Sequence, residues 1–217
     1  MFRKPTLLLR ALSALLTYPD EELRAALPEI SEAVHASRGI KPKHKRALQA
    51  LIDDIGARDA LDAQGRYVDL FDRGRRTSLN LFEHVHGDGR DRGPAMLELR
   101  ERYRTGGLEQ SGNELPDHLP VLLEYLSCQS NAVIRDTIAE VARIVRQIGN
   151  TLVKRHSPYA AVMDAVLALG HEKGLDKNAP VPPADDFDRT WEERPAFAPP
   201  EPRRADSTRR PAPSRRQ

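Results

Sequence analysis

The chain has 217 residues and a mass of 24.3 kDa, a size that suits one domain with a tail or two very small domains. Its 34 lysines and arginines nearly balance its 32 aspartates and glutamates, and a formal charge of +2 does not indicate a nucleic-acid-binding protein. A single cysteine, Cys128, excludes an intramolecular disulfide and a multi-cysteine metal or iron–sulfur site.

The first predicted element is a leucine-rich helix from about Leu8 to Leu16. Arg3 and Lys4 before it resemble the start of a signal peptide, but Arg10 interrupts the apolar stretch and no small-residue cleavage site follows. No run in the chain approaches the roughly 18 apolar residues that a membrane span needs. We therefore expect an ordinary first helix in a soluble, cytoplasmic protein without stable membrane insertion.

Apolar residues continue to recur at helical spacing along the chain. Asp20 is the predicted N-cap of a second helix that runs to about Ser37, and Pro42 can open a third. Further helices are predicted at about 58–71, 77–85, 95–105, 133–153 and 159–169. The stretch HGDGRDRGP (86–94) is predicted to be a turn-rich break. No strand-like alternation is found, so we expect an all-α, single-domain multi-helix bundle over residues 1–178.

The remaining residues, 179–217, have a different composition. They hold nine of the 17 prolines, and the last 15 residues include six arginines and one acidic residue, Asp206. A segment with so few apolar residues cannot bury enough surface to offset the entropy of ordering it. We predict a disordered, solubilising tail; contact with nucleic acid or an anionic membrane is the less favoured interpretation.

Several patterns that could indicate catalysis or metal binding fail on spacing. The loop GDGRDRG (87–93) misses both the P-loop and the GxGxxG fingerprints, which counts against a GTP- or pterin-handling enzyme. His84 and His86, two residues apart on a helix, point about 200° from one another and cannot share a metal. On one helix, His118 and Cys128 lie about 15 Å apart, too far for a nucleophile and its base. We expect no catalytic residues, no metal ligands, no bound cofactor and a buried, inert Cys128.

The segment ELPDHLPVLLEYL (114–126) combines carboxylates, a histidine and an apolar core. Asp117 is the predicted N-cap of a helix in which His118, Leu122 and Tyr125 share one stripe. Asp117 and Glu124 fall on the neighbouring stripe. The pattern fits either a capped helix with one buried face or a groove for an amphipathic, partly basic partner segment.

Longer motifs identify a family. The stretch YVDLFDRGRRTSLNLFEHVHGDGRDRG, which begins at Tyr67, resembles the nitrate reductase molybdenum-cofactor assembly chaperones of the NarJ type, within the TorD-like redox-enzyme maturation chaperones. Gly89 stands where that type is expected to have serine. ELPDHL is similar to the acid–Pro–Asp–His element of the wider group, with Leu115 in a spacer place, and YPDEEL (18–23) and HSPYA (156–160) fit as well. The resemblance covers roughly residues 7–170.

The resemblance implies an all-α chaperone that binds the N-terminal segment of the apo catalytic (alpha) subunit of respiratory nitrate reductase. Such chaperones hold the apoprotein until the molybdopterin guanine dinucleotide cofactor enters, and they are not part of the finished enzyme. Molybdenum-cofactor delivery proteins are further candidate partners. The alternative is a chaperone of the same fold for a dimethyl sulfoxide or trimethylamine oxide reductase. The stretch from Tyr67 favours the nitrate reductase type.

The resemblance and the helical pattern together predict a peptide-binding site. Tyr67, Leu70 and Phe71 fall at i, i+3 and i+4 and form one aromatic–aliphatic helix face. Leu122 and Tyr125 form another face on the helix that follows Pro120, with acidic residues nearby in sequence. The predicted peptide-binding residues are Tyr67, Leu70, Phe71, Glu114, Asp117, His118, Leu122, Glu124 and Tyr125.

Overall fold

Eight α-helices make up the part of the chain that the computed structural model describes, namely residues 5–85, 92–110, 112, 114–176 and 178. They are α1 (Pro5–Leu15), α2 (Glu21–Ala36), α3 (Pro42–Ala57), α4 (Ala60–Tyr67), α5 (Arg92–Thr105), α6 (Leu119–Ser127), α7 (Asn131–Lys154) and α8 (Ala160–Leu169). A π-helical turn, Val68–Asp72, follows α4, and two 3₁₀ turns, Arg75–Thr77 and Leu81–His84, precede α5. The predicted all-α class is confirmed.

The ends of several helices follow from local sequence, as predicted. The Asp20 carboxylate accepts a hydrogen bond of 2.8 Å from the Leu23 amide and caps α2. Pro42 occupies the first turn of α3, where its missing amide has no intrahelical partner. At the end of α5, Gly107 has a φ of +87°, a backbone conformation that glycine adopts at little cost.

The helix predicted at 77–85 is wrong. Two hydrogen bonds pair this segment instead with the chain before α6, from the Leu81 amide to the Asp117 carbonyl (3.0 Å) and from the Leu119 amide to the Leu79 carbonyl (2.8 Å). They form an isolated antiparallel bridge between Asn80 and His118. A partner 35 or more residues away thus takes the backbone groups that a helix would have used.

The predicted break at 86–94 ends earlier than expected, because α5 already begins at Arg92. Gly93 and Pro94 therefore lie inside the first turn of that helix, where proline is tolerated. Residues 86–91 of the break lie outside the described residues.

The core of the bundle joins both ends of the described chain. Helix α7 packs along α8, and α8 also contacts α3. Helix α1 packs on α6 and α2, and α2 packs on α3. Leucines of α1 and α6 are fully buried where these helices meet, among them Leu8, Leu12, Leu123 and Leu126. Burial of apolar surface at these contacts, and not helix propensity alone, holds the short helices in place.

Cys128 is exposed, which corrects the expectation that it is buried. It is the C-cap residue of α6, directly after the buried Leu126 and Ser127. The chain turns away from the core at the end of the helix, so the apolar pattern of α6 does not extend to this position. Of the helices that the structure describes, none is long and apolar enough to cross a membrane.

Deleting the residues after Asn178 is expected to shift the thermal midpoint by less than about 2 °C, because the described core lies between Leu8 and Leu175. The predicted disorder of 179–217 falls outside the described residues and stays a prediction. The matched control is a deletion after Gly170. It also removes Leu175, which packs on the core, and Glu172, which pairs with Arg146 at 3.5 Å. Differential scanning calorimetry should show a drop of several degrees for this control alone; equal drops would contradict the prediction.

Candidate peptide-binding site

Asp117 is not the N-cap of α6, contrary to the prediction. His118 occupies the cap position without a side-chain cap bond, and the second helical position is Pro120, which has no amide to donate. The Asp117 Oδ2 instead accepts a hydrogen bond of 2.8 Å from the Phe82 amide. The carboxylate therefore holds the 3₁₀ turn at Leu81–His84 against the start of α6.

Asp117 is also fully buried, at 0% exposure. Its Oδ1 has no hydrogen-bond partner among the described residues. Burial raises the pKa of the Asp117 carboxyl, while the Phe82 amide and the positive charge of Arg92 oppose that rise. A neighbouring contact fixes the same loop, since the Tyr103 hydroxyl donates to the Pro116 carbonyl at 2.8 Å. Asp117 thus positions the loop and cannot itself touch a partner.

A surface cavity of about 370 Å³ opens beside this loop. The end of α1, the end of α4 with its π-helical turn, the loop before α6 and the first turns of α6 form its walls. We call it the acidic cleft; its lining residues are Ser13, Thr17, Tyr18, Tyr67, Asp72, Glu114, His118, Pro120, Val121 and Glu124. Its volume falls within the range of small ligand and side-chain pockets.

The acidic cleft carries three carboxylates, and its described lining includes no lysine or arginine. Glu114 Oε2 lies 3.3 Å from His118 Nδ1, within ion-pair distance but without a hydrogen bond. Asp72 and Glu124 are exposed, and neither side chain forms an ion pair or hydrogen bond within the described ranges. The cleft therefore presents unpaired negative charge to whatever enters it.

His118 does not offset this charge at neutral pH. Burial lowers the pKa of its imidazole, and the nearby carboxylates of Glu114, Asp117 and Asp72 only partly counter the effect. The ring is consequently neutral near pH 7. The site is anionic overall, which favours a cationic partner.

Aromatic rings form the apolar wall of the cleft. The Tyr67 hydroxyl donates to the Leu16 carbonyl at 2.8 Å, which ties α4 to the end of α1. Its ring packs edge-on against Tyr18 with centroids 5.8 Å apart, and against Phe71 at 5.0 Å. Tyr18 remains 44% exposed, so it is the aromatic side chain of this cluster that a partner could cover.

The structure brings together four of the nine predicted site residues. Tyr67, Glu114, His118 and Glu124 all line the acidic cleft. The helical pattern did not predict Tyr18 and Asp72 as site residues, although both lie in motifs that carry the family resemblance.

The position of Asp72 depends on the π-helical turn. On an α-helix, residues five apart are rotated by about 140°, so Asp72 would face away from Tyr67. The π-helical turn changes that register, and its i→i+5 bonding was not readable from the sequence.

The other five predicted residues lie elsewhere. Leu70 lines a separate cavity of about 200 Å³ next to Tyr159. Asp117, Phe71, Leu122 and Tyr125 are buried, with Tyr125 only 4% exposed, and the edge of Phe71 borders a second surface cavity. The Tyr125 ring stacks on Tyr103 with centroids 4.8 Å apart. A Cβ atom at Gly106 would lie 2.5 Å from that ring, so the end of α5 presses directly on it.

The candidate metal ligands do not form a site in the part of the chain that the structure describes. It contains no group of three or more histidine, cysteine or acidic side chains with metal-binding geometry. His84 Nε2 lies 2.9 Å from the Ser78 carbonyl. His86 lies outside the described residues.

Comparisons with known proteins place the chain in a family. The family model described as nitrate reductase delta subunit matches residues 18–164. The nitrate reductase molybdenum cofactor assembly chaperone NarJ of Escherichia coli (strain K12) is 43% identical over 159 residues, which cover 73% of this chain and 67% of that protein. The probable nitrate reductase molybdenum cofactor assembly chaperone NarW of the same strain is 36% identical over 162 residues, 75% of this chain and 67% of that protein.

A solved structure shares the fold. The crystal structure of a redox enzyme maturation protein from Archaeoglobus fulgidus matches with a TM-score of 0.54 at 20% identity, covering 74% of this chain and 90% of that one. The two relatives are named as assembly chaperones, which agrees with the expectation that this chain is not an enzyme. The chain therefore belongs to the nitrate reductase delta-subunit family and, within it, to the NarJ-type nitrate reductase molybdenum-cofactor assembly chaperones.

Proposed function

We propose that the chain is a system-specific chaperone that binds the N-terminal segment of the apo catalytic subunit of respiratory nitrate reductase. It holds this client for insertion of the molybdenum cofactor and assembly of the complex, and molybdenum-cofactor delivery proteins are candidate further partners. The observation that carries the proposal is the acidic cleft, where Asp72 and Glu124 have no ion-pair partner in the described chain. The family membership supports the identity of the client.

The chemistry of the cleft favours an amphipathic, basic segment. Tyr18, Tyr67 and Val121 offer an apolar wall, and Asp72 and Glu124 offer carboxylates on the same cavity. A client helix can lay its apolar side on the aromatic wall and direct lysine or arginine side chains to the acids. Burying one large apolar side chain contributes about 1.5–3 kcal/mol, whereas an exposed ion pair contributes about 0–1 kcal/mol. The apolar wall is therefore expected to dominate affinity, and the acids to set charge preference.

Replacing Tyr18 with alanine is expected to weaken binding of the reductase N-terminal peptide about tenfold, equivalent to about 1.4 kcal/mol. Its 44% exposure allows the change without loss of the fold. The combined Asp72→Asn and Glu124→Gln changes should cost less and mainly at low salt, because salt screens exposed charges. Isothermal titration calorimetry at low and high salt measures both effects.

The matched control for Tyr18→Ala is Leu97→Ala, which removes a 69% exposed apolar side chain on α5 outside the acidic cleft. It should leave the affinity unchanged. Equal affinities for Tyr18→Ala, Leu97→Ala and the unaltered chain would show that the client does not bind at the aromatic wall.

A pull-down from cells that respire nitrate tests the identity of the client. Copurification of the apo catalytic subunit of nitrate reductase, identified by mass spectrometry, is the expected result. Recovery of the catalytic subunit of another molybdenum reductase in its place would contradict the proposed client and support the alternative with the same fold.

A further inference from the structure

A second cavity, of about 470 Å³, lies next to the acidic cleft. It is formed by the end of the π-helical turn, the two 3₁₀ turns and the start of α5. We call it the arginine cleft; its lining residues are Phe71, Asp72, Arg73, Arg75, Ser78, Asn80, Glu83 and Arg92. Three guanidinium groups face two carboxylates there, so its charge is opposite to that of the acidic cleft.

The two clefts are parts of one surface. Asp72 lines both of them. In addition, Asn80 of the arginine cleft and His118 of the acidic cleft are the two partners of the antiparallel bridge. A bound segment that leaves the acidic cleft past Asp72 therefore enters the arginine cleft directly.

Arg73 and Arg92 have capacity for a further anionic partner. Arg73 forms an ion pair of 2.8 Å with Asp69, but both side chains are largely exposed and such pairs contribute little in water. Arg92 lies 3.7 Å from Glu83, whose Oε1 also accepts a hydrogen bond of 3.2 Å from Asn80. A guanidinium carries five N–H donors in a planar fork that matches a carboxylate, and these single contacts use few of them.

We propose that the arginine cleft is the second half of the client site and binds an aspartate or glutamate side chain of the client segment. This inference rests on the proposed function. The acidic cleft takes the basic residues of the segment, and the arginine cleft takes a carboxylate that precedes or follows them. The surface thus selects a client by the order of its charges as well as by its apolar face. The positive charge of the arginine cleft disfavours segments that are basic throughout.

A double-mutant cycle between protein and peptide tests the inference. The probes are a synthetic peptide with the N-terminal sequence of the reductase catalytic subunit and a second peptide in which every Asp and Glu is replaced by Asn and Gln. The variant is Arg73→Gln, whose side chain is 76% exposed and can change without loss of the fold. The control is Arg100→Gln, an exposed arginine on α5 that lines neither cleft.

We expect Arg73→Gln to weaken binding of the native peptide about fivefold, and to leave binding of the amide peptide unchanged. Arg100→Gln should change neither affinity. Charge reversal gives an independent reading, because Arg73→Glu should recover affinity for a peptide whose acidic residues are changed to lysine. The inference would be overturned if Arg73→Gln weakened binding of both peptides equally, or of neither. It would also be overturned if a native client segment without any acidic residue bound tightly. Failure of the native peptide to bind the unaltered chain would overturn the proposed function instead.

Discussion

Replacing Tyr125 with alanine is expected to lower the free energy of unfolding by about 3–5 kcal/mol, the range for removing a large aromatic side chain from a core. Only 4% of Tyr125 is exposed, and its ring packs on Tyr103 and against the backbone at Gly106. Alanine would leave a cavity that these neighbours cannot fill without moving α5. A loss of this size is a large fraction of the total stability of a small domain. Chemical denaturation followed by circular dichroism measures it.

Two variants serve as controls for the Tyr125 effect. Tyr125→Phe keeps the ring and loses only the hydroxyl, which lies near the Arg102 side chain. It should cost no more than about 0.5–1.5 kcal/mol, the contribution of one hydrogen bond. Tyr18→Ala removes an exposed ring and should leave stability within about 1 kcal/mol while weakening client binding. A Tyr125→Ala protein of unchanged stability that no longer binds the peptide would contradict the buried position and restore the initial interpretation that Tyr125 contacts the client.

Replacing Asp117 with alanine is expected to cost about 1–3 kcal/mol of stability, because the part-buried Phe82 amide loses the acceptor that the Asp117 carboxylate provides. The same change should weaken peptide binding, since Asp117 joins the Leu81–His84 turn to the loop that carries Glu114 and His118. Asp117→Asn keeps an acceptor oxygen for Phe82 and should retain most of both properties. Denaturant unfolding and calorimetric titration of the two variants measure these effects.

The pH dependence of the Asp117 contribution has a definite sign. Burial raises the pKa of this carboxyl above the ordinary aspartate value of about 3.9. The folded state therefore holds the proton more tightly than the unfolded state, and the contribution of Asp117 to stability decreases as pH rises from about 3.9 through the folded-state pKa. Asp117→Asn cannot titrate, so the stability of the unaltered chain relative to this variant should fall across that window. A relative stability that rises with pH there would contradict the buried, unpaired state of Oδ1.

The contribution of His118 to stability changes with pH in the opposite direction. Burial lowers the pKa of its imidazole, so the unfolded state binds the proton more tightly. The contribution of His118 is complete above about pH 6.5 and is lost as pH falls through the folded-state pKa. The Asp117→Asn change should abolish the Asp117 slope. It should also move the His118 slope to lower pH, because the charge of the Asp117 carboxylate raises the pKa of His118.

The sequence by itself determined the features that depend on neighbours along the chain. Three features follow from residues within one or two helical turns: the cap of α2 at Asp20, the start of α3 at Pro42 and the end of α5 at Gly106-Gly107. The all-α class follows from the same local patterns. The long motifs also identified the family, because they are too specific to arise from composition. Glu114, His118 and Glu124 were predicted as binding residues from the resemblance and the helical pattern together, and all three line the acidic cleft.

Tertiary structure decided which side of each element is buried and which groups a side chain meets. Asp117 has the composition of a helix cap, yet its partner is the Phe82 amide, 35 residues earlier. Tyr125 lies on the stripe predicted to face a client, yet Tyr103 covers it. Helical periodicity states that residues share a face; it does not state whether protein or solvent covers that face. The adjoining clefts of opposite charge arise where the π-helical turn redirects Asp72, and local pattern could not have supplied that geometry.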